Sequence, residues 1–457
     1  MGLVLFLIFS TLLAKACSFA EYQKDEQLGL KHAPLHLSLY HVLGPGPLLS
    51  SQSPISFFEV LAQDEARVRS ITSRIANNKL NKSGSSNPAN FNSSYISLNP
   101  GFSIGVGNYY VNVGLGTPAK YYPMVVDTGS SFSWLQCQPC SVYCHKQVGP
   151  LFNPSASNTY KSLSCTTSQC YSLKEATLND PFCKSNVCIY TASYGDQSFS
   201  QGYLSQDLLS LTPPSQTLPA FVFGCGQNNQ GLFGQTAGLI GLARHKLSML
   251  AQLSTKYGYA FSYCLPTSGG SGGSLSIGST SLISSPSSAY KFTPMITDSH
   301  DRSLYFLRLA AITVAGKPIV VAVSQYSVPT ILDSGTTITR LPMSIYTALR
   351  QAFVKIMMSS NYQMAPPYSI LDACFKGSLK EMSAVPKVGM IFQGGADLTL
   401  APHNILFDVD KGITCLAFAT NSATGGVAII GNHQQQTYKV GYDVSNSRIG
   451  FAAGGCH

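Results

Sequence analysis

A short pattern that occurs twice constrains this chain more than any other feature of its sequence. The chain reads VVDTGSS at residues 125–131 and ILDSGTT at residues 331–337, so each copy is an apolar run that ends in an aspartate and a turn. Each copy is followed far downstream by two apolar residues and a glycine, LIG at residues 239–241 and IIG at residues 429–431. This repeat predicts two homologous halves that each contribute one aspartate to a site between them.

Paired aspartates from two such turns suit one kind of chemistry. Carboxylates about 3 Å apart do not both ionise easily, so Asp127 and Asp333 would share a proton and hold one water. One carboxylate acts as a base on the water and the other protonates the reacting carbonyl, which permits peptide hydrolysis without a nucleophilic side chain. A single Asp-Ser-Gly turn is common in loops. Two copies in matching contexts indicate a catalytic dyad that uses neither a metal nor a cofactor.

The neighbours of each aspartate fit a supporting role. Gly129 and Gly335 permit the tight turn and bring backbone N–H groups close to the carboxylates. The hydroxyls of Ser130 and Thr336 can donate hydrogen bonds to the outer carboxylate oxygens. The predicted supporting residues are Thr128, Gly129, Ser130, Ser334, Gly335 and Thr336.

Composition favours an all-β protein. Hydrophobic residues make up 44% of the 457 residues and charged residues only 11%, with 40 Gly, 25 Pro and 24 Tyr. This mixture is not that of a coiled coil or a disordered chain, and it suits strands joined by tight turns. The formal net charge is +9, but the basic residues are scattered singly or in pairs, which gives no support to nucleic-acid binding.

The N-terminus is typical of a signal peptide. The run from Leu3 to Leu13 is apolar and too short to span a bilayer, and Ser18 and Ala20 occupy the two positions that determine cleavage. We expect a signal peptide over residues 1–20 and no stable association with a membrane. The expected location is secreted, in the extracellular apoplast, with the vacuole or a plastid as alternatives.

Cysteine usage agrees with an oxidising compartment. The chain has 13 Cys, and removal of Cys17 with the signal peptide leaves an even number, which predicts up to six disulfides of undetermined connectivity. The competing interpretation is a zinc site, because Cys137, Cys140 and Cys144 have a spacing that superficially resembles that of zinc ligands. A secreted chain disfavours free thiolates, so disulfides are the preferred prediction.

Residues 21–100 differ from the rest of the chain. They contain no Cys, and they include a predicted amphipathic helix over residues 57–71 with an apolar face of Phe58, Leu61, Ala62, Val68 and Ile71. A polar stretch over residues 77–94 follows, with glycosylation sequons at Asn81 and Asn92. We interpret this region as a removable propeptide that leaves on acidification.

Two further helices are predicted within the β pattern. One runs over residues 246–257 and stops at Gly258, and the other follows Pro342 as far as Ile356. A serine-hydrolase pattern, G-x-S-x-G, occurs at Ser271 in a Ser/Gly-rich loop. A nucleophile elbow needs a strand before it and a helix after it, so this match is rejected.

Several motifs together resemble the pepsin-like aspartic proteases (peptidase family A1), in particular the plant nepenthesin-like and chloroplast-nucleoid-protease-like branch. The resemblance covers residues 107–456. Its motifs are VDTGS at 126–130, YGDQS at 194–198, GYL at 202–204, FGCG at 223–226, GLIGL at 238–242, FSYCL at 261–265, DSGTT at 333–337 and IGN at 430–432.

The resemblance implies a fold and a domain organisation. The expected fold is bilobal and pepsin-like, with two homologous β-barrel-like lobes, a central active-site cleft and a few short helices. It places an N-terminal lobe with a Cys-rich insertion over residues 101–288 and a C-terminal lobe over residues 289–457. It also implies a monomer that acts at acidic pH on protein or peptide substrates.

The resemblance also implies roles for residues beyond the dyad. Tyr194, Gly195 and Asp196 are similar to the flap that closes over substrate, and Trp134 occupies the position whose indole N–H can anchor Tyr194. His433 stands where the branch usually has an aromatic residue, and we expect either a pocket wall or a surface position for it.

Two other functions compete with proteolysis. One is a catalytically inactive homologue that binds another protein, as in the plant xylanase inhibitors of the same fold, which characteristically lose part of the dyad. The other is a secreted storage or cell-wall structural protein. Both Asp-[Ser/Thr]-Gly-[Ser/Thr] copies are intact in this chain, which favours the enzyme.

Overall fold

The structure is a computed structural model that describes residues 35–41, 57–80, 109–194, 197–212, 216–231, 233–267, 272–282, 289–298, 301–421 and 427–454. Several predicted features lie outside these ranges. They are the signal peptide, residues 81–94 of the polar stretch, Ser271, and the flap residues Gly195 and Asp196. In the ranges given, no helix is both long and apolar enough to cross a membrane.

The N-terminal lobe is built on a large, mostly antiparallel sheet. Its strands are ordered β2 (Tyr40–His41), β3 (Tyr109–Leu115), β4 (Lys120–Asp127), β12 (Gly238–Gly241), β5 (Trp134–Gln136), β11 (Gln216–Gln230), β10 (Phe199–Thr212), β9 (Val187–Ser193) and β8 (Phe182–Lys184). Two short strands extend it, β6 (Tyr143–Cys144) beside β11 and β7 (Lys161–Ser162) beside β10. Strand β3 also pairs with β10, which closes the sheet into a barrel.

The C-terminal lobe is also built from β-sheets, which are smaller than that of the N-terminal lobe. The sheet that carries the second aspartate turn has the order β16 (Phe306–Leu307), β19 (Thr330–Leu332), β28 (Ala428–Ile430), β20 (Thr339–Leu341) and β27 (Phe418–Thr420). Another has the order β18 (Lys317–Pro318), β17 (Leu309–Val314), β23 (Val388–Phe392) and β24 (Asp397–Leu400). The remaining one has the order β21 (Met364–Ala365), β22 (Cys374–Lys376), β26 (Ile413–Leu416) and β25 (Leu406–Asp410).

A further sheet joins the two lobes and includes the N-terminal segment. Its order is β1 (Leu35–Ser38), β14 (Ser274–Ile277), β13 (Ala260–Cys264), β29 (Lys439–Asp443), β30 (Arg448–Ala452) and β15 (Lys291–Pro294). Leu35 and Leu37 point into the core, whereas His36 and Ser38 alternate outward. The predicted all-β, bilobal class is therefore confirmed, with Leu35–Ser38 added as an edge strand of this sheet.

The helices are mostly short. They are α1 (Phe57–Leu80), α2 (Ser168–Tyr171), α3 (Leu173–Thr177), α4 (Met249–Tyr257), α5 (Met343–Ser359), α6 (Pro402–Ile405) and α7 (Asn432–Gln435). Helix α4 begins three residues later than predicted, because the Ser248 hydroxyl caps it by accepting from the Ala251 N–H. Helix α1 continues nine residues beyond its predicted end, so part of the predicted polar stretch is helical.

Disulfides crosslink both lobes, as the cysteine arithmetic predicts. The pairs are Cys137–Cys225, Cys140–Cys144, Cys165–Cys183, Cys170–Cys188 and Cys374–Cys415, and Cys264 is also disulfide-bonded. The three sulfurs that could be interpreted as zinc ligands are all in these bonds, so they are not thiolate ligands. Four of the pairs lie in the N-terminal lobe, where the Cys-rich insertion was expected.

Candidate active site

The two aspartates occupy matching positions in the two lobes. Asp127 ends strand β4, which runs parallel to β12 and brings Asp127 opposite Gly241. Asp333 directly follows β19, which runs parallel to β28, and its N–H donates to the Ile430 carbonyl at 3.1 Å. The sequence repeat is therefore a repeated strand–turn unit beside a parallel strand.

The downstream glycines of the repeat have a packing reason. A β-carbon on Gly241 would lie 2.5 Å from the carbonyl oxygen of Ser130, and one on Gly431 would lie 2.5 Å from that of Thr337. Both distances are shorter than any stable contact, so each aspartate turn passes directly over a glycine. This explains why an apolar pair followed by Gly recurs with each Asp motif.

The two turns are held together by reciprocal hydrogen bonds. The Ser334 N–H donates to the Thr128 hydroxyl oxygen at 2.9 Å, and the Thr128 N–H donates to the Ser334 hydroxyl oxygen at 3.2 Å. Both side chains are buried. The central hydroxyl residues of the motifs thus tie one lobe to the other and fix the distance between the aspartates.

Each carboxylate is oriented by its own turn in the same way. Asp127 accepts from the Gly129 N–H at 2.8 Å and from the Ser130 hydroxyl at 2.5 Å. Asp333 accepts from the Gly335 N–H at 3.2 Å and from the Thr336 hydroxyl at 2.6 Å. These are the supporting contacts that the residue types predict.

Close approach requires the glycine at each turn. A β-carbon on Gly335 would lie 2.6 Å from the nearer oxygen of Asp127, and one on Gly129 would lie 3.0 Å from an oxygen of Asp333. Asp127 is 1% exposed and Asp333 is fully buried. The two turns therefore bring two carboxylates together in a buried site, as the dyad hypothesis requires.

An arginine from helix α1 lies across both carboxylates. The Arg67 guanidinium donates to Asp127 from Nη1 at 3.0 Å and from Nη2 at 2.7 Å. It also donates to Asp333 from Nε at 3.0 Å and from Nη2 at 3.0 Å. The planar guanidinium can serve both carboxylates at once because its five N–H donors point in fixed directions. The space where a reacting carbonyl and its water would meet the dyad is therefore filled.

Arg67 also changes the titration of the site. Burial alone would raise the pKa of Asp333, but the Arg67 charge and the hydrogen bonds from Arg67, Thr336 and Gly335 hold that pKa below its ordinary value. In return, the two carboxylates outweigh the effect of burial on Arg67 and raise the guanidinium's pKa well above its usual range. The ionised carboxylate of Asp333 and the charged Arg67 stabilise each other.

Apolar side chains bind helix α1 to the C-terminal lobe on both sides of Arg67. Val60 and Leu61 pack with Ile338 and Leu371, while Val68, Ile71 and Ile75 pack in a second cluster on the same lobe. Phe57 stacks on Phe407, with ring centroids 3.7 Å apart. Phe58, predicted on the apolar face, is 55% exposed instead, because the buried stripe runs through its neighbour Phe57.

Polar anchors reinforce this docking. Asp64 of helix α1 is 3% exposed and accepts from the N–H groups of Thr337 and Ile338 and from Nη2 of Arg340. Farther along the helix, Arg74 pairs with Asp301. Its guanidinium also donates to the Ser303 hydroxyl at 3.0 Å. Two polar side chains of the helix, Asp64 and Arg74, are thus bound to residues of the C-terminal lobe.

The predicted flap residue lies at the end of the β9–β10 hairpin. The Tyr194 N–H donates to the Ser198 carbonyl at 2.8 Å, and the Trp134 indole N–H donates to the Tyr194 hydroxyl at 2.7 Å. Phe233 packs edge-on against both rings. The structure therefore brings Tyr194 and Trp134 together, and it adds Phe233, for which the sequence contained no signal.

Two residues that contact the site carry no sequence signal that was recognised, and one residue lies elsewhere than expected. Arg67 and Asp64 were not singled out, although Asp64 lies in the middle of the apolar stripe of helix α1, which is an unusual place for a charge. His433 is 4% exposed and packs against Phe407, so the expectation of a surface position was wrong. Within the described ranges, no cluster of three or more His, Cys, Asp or Glu side chains could hold a metal ion.

Comparison with known proteins places the chain in a family. Family models described as the N-terminal and C-terminal regions of xylanase inhibitors match residues 109–279 and 304–453. An aspartyl protease family protein of Arabidopsis thaliana is 43% identical over 399 residues, which cover 87% of this chain and 82% of that protein. The aspartic proteinase nepenthesin-2 of Nepenthes gracilis is 36% identical over 364 residues, which cover 77% of this chain and 78% of that protein.

The solved structures agree on the architecture. The crystal structure of basic 7S globulin from soybean matches with a TM-score of 0.60 at 21% identity, covering 76% of this chain and 91% of that one. At this identity the match is informative about the fold alone. The sequence relatives, the family models and the shared fold together show that the chain belongs to the pepsin-like family of plant aspartic proteases.

Proposed function

We propose that this protein is the secreted precursor of an acid-acting endopeptidase, in which helix α1 blocks a dyad formed by Asp127 and Asp333. The general activity follows from the family. Relatives that match over most of the chain are aspartic proteases, so the protein is an aspartic-type endopeptidase. The observation that supports a blocked dyad is the pair of buried carboxylates in matched turns, which Arg67 bridges.

The geometry supports a mechanism in which the two carboxylates act as a unit. Each aspartate has its own backbone N–H and hydroxyl donors, so the pair is oriented before substrate binds. Once Arg67 leaves, the loss of its charge makes simultaneous ionisation of the pair unfavourable, and one proton is then shared. The ionised member activates a water for attack on the peptide carbonyl, and the protonated member donates to the carbonyl oxygen.

The flap completes this site. The Tyr194 ring is held by Trp134 and Phe233 at the tip of the β9–β10 hairpin, on the N-terminal-lobe side of the cleft. A hairpin in this position closes over a bound peptide and excludes water from the reacting bond.

Helix α1 supports the proposal that the N-terminal region is an inhibitory propeptide, as the sequence predicts. Arg67 occupies the dyad, and the flanking side chains occupy the cleft of the C-terminal lobe. A substrate cannot reach Asp127 and Asp333 while the helix is docked, so the precursor is inactive until the helix leaves.

Acid favours departure of the N-terminal region through several groups. The pKa of Asp333 and that of Asp301 are held low in the docked state, since their partners Arg67 and Arg74 outweigh the effect of burial. Their contribution to docking is present above the ordinary carboxyl pKa and is lost as the pH falls through the lowered values. Partial burial of His36 at the outward face of strand β1 lowers its pKa, and Lys439 adds to the effect, so docking of that strand weakens as the pH falls below about 6.5.

One group opposes this trend. Burial raises the pKa of Asp64 although Arg340 and the amides of Thr337 and Ile338 favour its ionised form. A raised pKa gives docking stability that is lost as the pH rises, so protonation of Asp64 favours the docked helix in acid. Asp333, Asp301 and His36 act in the direction of release, Asp333 at the contact with Arg67 itself, and we propose that release prevails on acidification.

A binding or storage role is the competing function. The matching family models carry the description of xylanase inhibitors, and a solved structure of the same fold is the basic 7S globulin from soybean. In this chain both aspartate turns keep every predicted donor, and the two carboxylates share Nη2 of Arg67. An intact, oriented dyad favours catalysis over a purely binding role.

The experiment is a pH jump on the purified full-length chain with an unfolded protein substrate. We expect little hydrolysis at pH 7, and after transfer to about pH 4, near the reference carboxyl pKa values, we expect a lag, then proteolysis and a new N-terminus located after residue 80. A parallel assay measures inhibition of a xylanase. If the protein inhibits the xylanase and shows no proteolysis at any pH, its function is that of an inhibitor and not that of an enzyme.

A further inference from the structure

Arg340 is a buried cation whose carboxylate partners come from helix α1. It lies on strand β20 in the C-terminal lobe, and its side chain is fully buried. Its Nη2 is 2.7 Å from Asp64 Oδ2 and 3.3 Å from Glu65 Oε2. Within the part of the chain that the structure describes, its Nε and Nη1 have no hydrogen-bond partner. The lobe that remains after propeptide removal thus contains an arginine for which the structure shows no carboxylate of its own.

The surroundings of Asp64 form a carboxylate pocket. One oxygen accepts from the Thr337 N–H, and the other accepts from the Ile338 N–H at 3.3 Å and from Arg340 Nη2 at 2.7 Å. Ile338 is also part of the apolar wall on which the helix packs. Two amides and one guanidinium that converge on the two oxygens are a built anion site rather than a chance surface contact.

The pocket lies on the cleft, close to the dyad. Asp64 and Arg67 are three residues apart on helix α1, a rise of about 4.5 Å along its axis. On the enzyme side, Thr336 donates to Asp333 and the next residue, Thr337, donates to Asp64. A peptide bound across the dyad therefore passes within reach of this pocket.

Departure of the helix leaves the pocket with its donors and without its anion. A buried charge whose partner is removed is strongly destabilising, so the site favours a new anionic partner. We propose that Arg340, with the amides of Thr337 and Ile338, forms a substrate subsite that binds a carboxylate side chain, so that the mature enzyme selects peptides with an Asp or Glu near the scissile bond. This inference rests on the proposed function, and Asp64 is the propeptide's occupant of the subsite.

The test uses the acid-processed enzyme and internally quenched peptides that contain one cleavable bond. A single Glu is placed in turn at each of several positions on either side of that bond, and each peptide has a matched Gln version. Assays are run near pH 5, above the reference Glu pKa, so that the substrate carboxylate is ionised. At one position we expect kcat/KM to be about tenfold or more higher for Glu than for Gln, the usual effect of a hydrogen bond to a charged group.

Variants identify the residue responsible. Arg340→Gln should remove the Glu preference while cleavage of the Gln peptide continues, and Arg340→Lys should retain part of the preference. The matched control is Arg350→Gln, an arginine of the same lobe that is 32% exposed and pairs with Asp372. That variant should keep the full preference.

The outcomes separate the inference from the proposed function. If no position favours Glu by more than about twofold, or if the preference survives in Arg340→Gln, the carboxylate subsite is wrong although the enzyme is a protease. If neither peptide is cleaved, or if Asp333→Asn cleaves both, the proposed function itself is wrong. Because the Glu/Gln comparison uses the unmodified enzyme, it decides the question even if Arg340→Gln does not fold.

Discussion

The two lobes contribute the same aspartate turn to the cleft, but they hold helix α1 unequally. The C-terminal lobe binds it through apolar clusters, through Asp64–Arg340 and through Arg74–Asp301. On the N-terminal lobe, the described ion pair is Arg67–Asp127, and an open cleft lined by Ser130, Phe132 and Tyr194 separates the remaining helix from the lobe. The two aspartate turns are thus symmetric, whereas the contacts that hold the helix are not.

This difference has a functional meaning. Most of the described contacts of helix α1 are with the C-terminal lobe, whereas the side of the cleft with Tyr194 has space beside the helix. Arg67 forms ion pairs with both aspartates, so it connects the two lobes at the site. Variants in the two lobes should therefore have different consequences unless they affect the dyad itself.

The largest expected effect tests the two matching aspartate turns. Asp127→Asn and Asp333→Asn should each reduce hydrolysis by roughly a thousandfold or more, because an amide can neither act as the base nor share the proton. The measurement is the initial rate on acid-activated protein, with near-UV circular dichroism to verify the fold. Asp180→Asn is the control, since that carboxylate is 73% exposed and pairs only with Lys174 at the surface in the described structure. Substantial activity in either dyad variant would contradict the assignment.

The next effect tests the contact that links the lobes. Arg67→Gln should raise the activity of the unprocessed precursor at pH 5 to 6 by roughly tenfold, because two close carboxylates without their cation weaken helix docking. Arg69→Gln, two residues along the same helix, is the matched control. Arg69 is 72% exposed, and its 3.5 Å pair with Glu65 is a weak surface contact. Equal rates for the two variants would show that Arg67 does not hold the precursor inactive.

A smaller effect should appear in the pH of release. Arg74→Gln removes the partner that keeps the pKa of Asp301 low against the effect of burial, so docking loses a contribution that the precursor has at neutral pH. The pH at the midpoint of activation should then move upward by about one unit or less. A shift of one unit corresponds to about 1.4 kcal/mol of the free energy of docking. The readout is the precursor fraction remaining on gels after incubation at a series of pH values.

The control for this shift is an ion pair in which neither residue belongs to the helix. Lys291→Gln breaks the 2.6 Å contact with Asp397, in which the lysine is 65% exposed, and should leave the midpoint unchanged. A downward shift in Arg74→Gln would reverse the sign that the account requires.

The smallest effect concerns the flap side. Trp134→Phe should lower kcat/KM about fivefold, since it removes one hydrogen bond of about 1 kcal/mol to Tyr194. Tyr194→Phe removes the same bond from the other side, so the double variant should be no worse than the more affected single one. Additive losses in this cycle would show that the two residues act independently of each other.

The sequence predicted the aspartate turns well because their determinants are local. An apolar strand, an aspartate, a glycine and two hydroxyl residues specify the turn and its own hydrogen bonds within a few positions. The recurrence of the unit in VVDTGSS and ILDSGTT indicated that two such turns meet. The downstream Gly241 and Gly431 were also recognised, although the reason for them, the passage of a backbone carbonyl, is visible only in the structure.

Contacts between distant parts of the chain were not predictable in the same way. Arg67 and Asp333 are 266 positions apart, and an amphipathic pattern does not tell which surface a helix meets. The polar run from Asn432 to Gln436 suggests a surface by its composition, but it is buried because its side chains find distant partners. Gln434, for example, accepts from the Thr339 N–H and donates to the Asn404 carbonyl.

The central claim is that docking of helix α1 and activity exclude each other. The direct measurement follows amide hydrogen exchange in residues 57–80 of the full-length protein, together with peptide hydrolysis, as the pH is lowered from 7 to 3. We predict protected helix amides and no hydrolysis at pH 7, and loss of protection with the same midpoint as the onset of activity. A fully active enzyme whose helix amides stay protected would contradict the account, and so would an inactive precursor in which they exchange freely at pH 7.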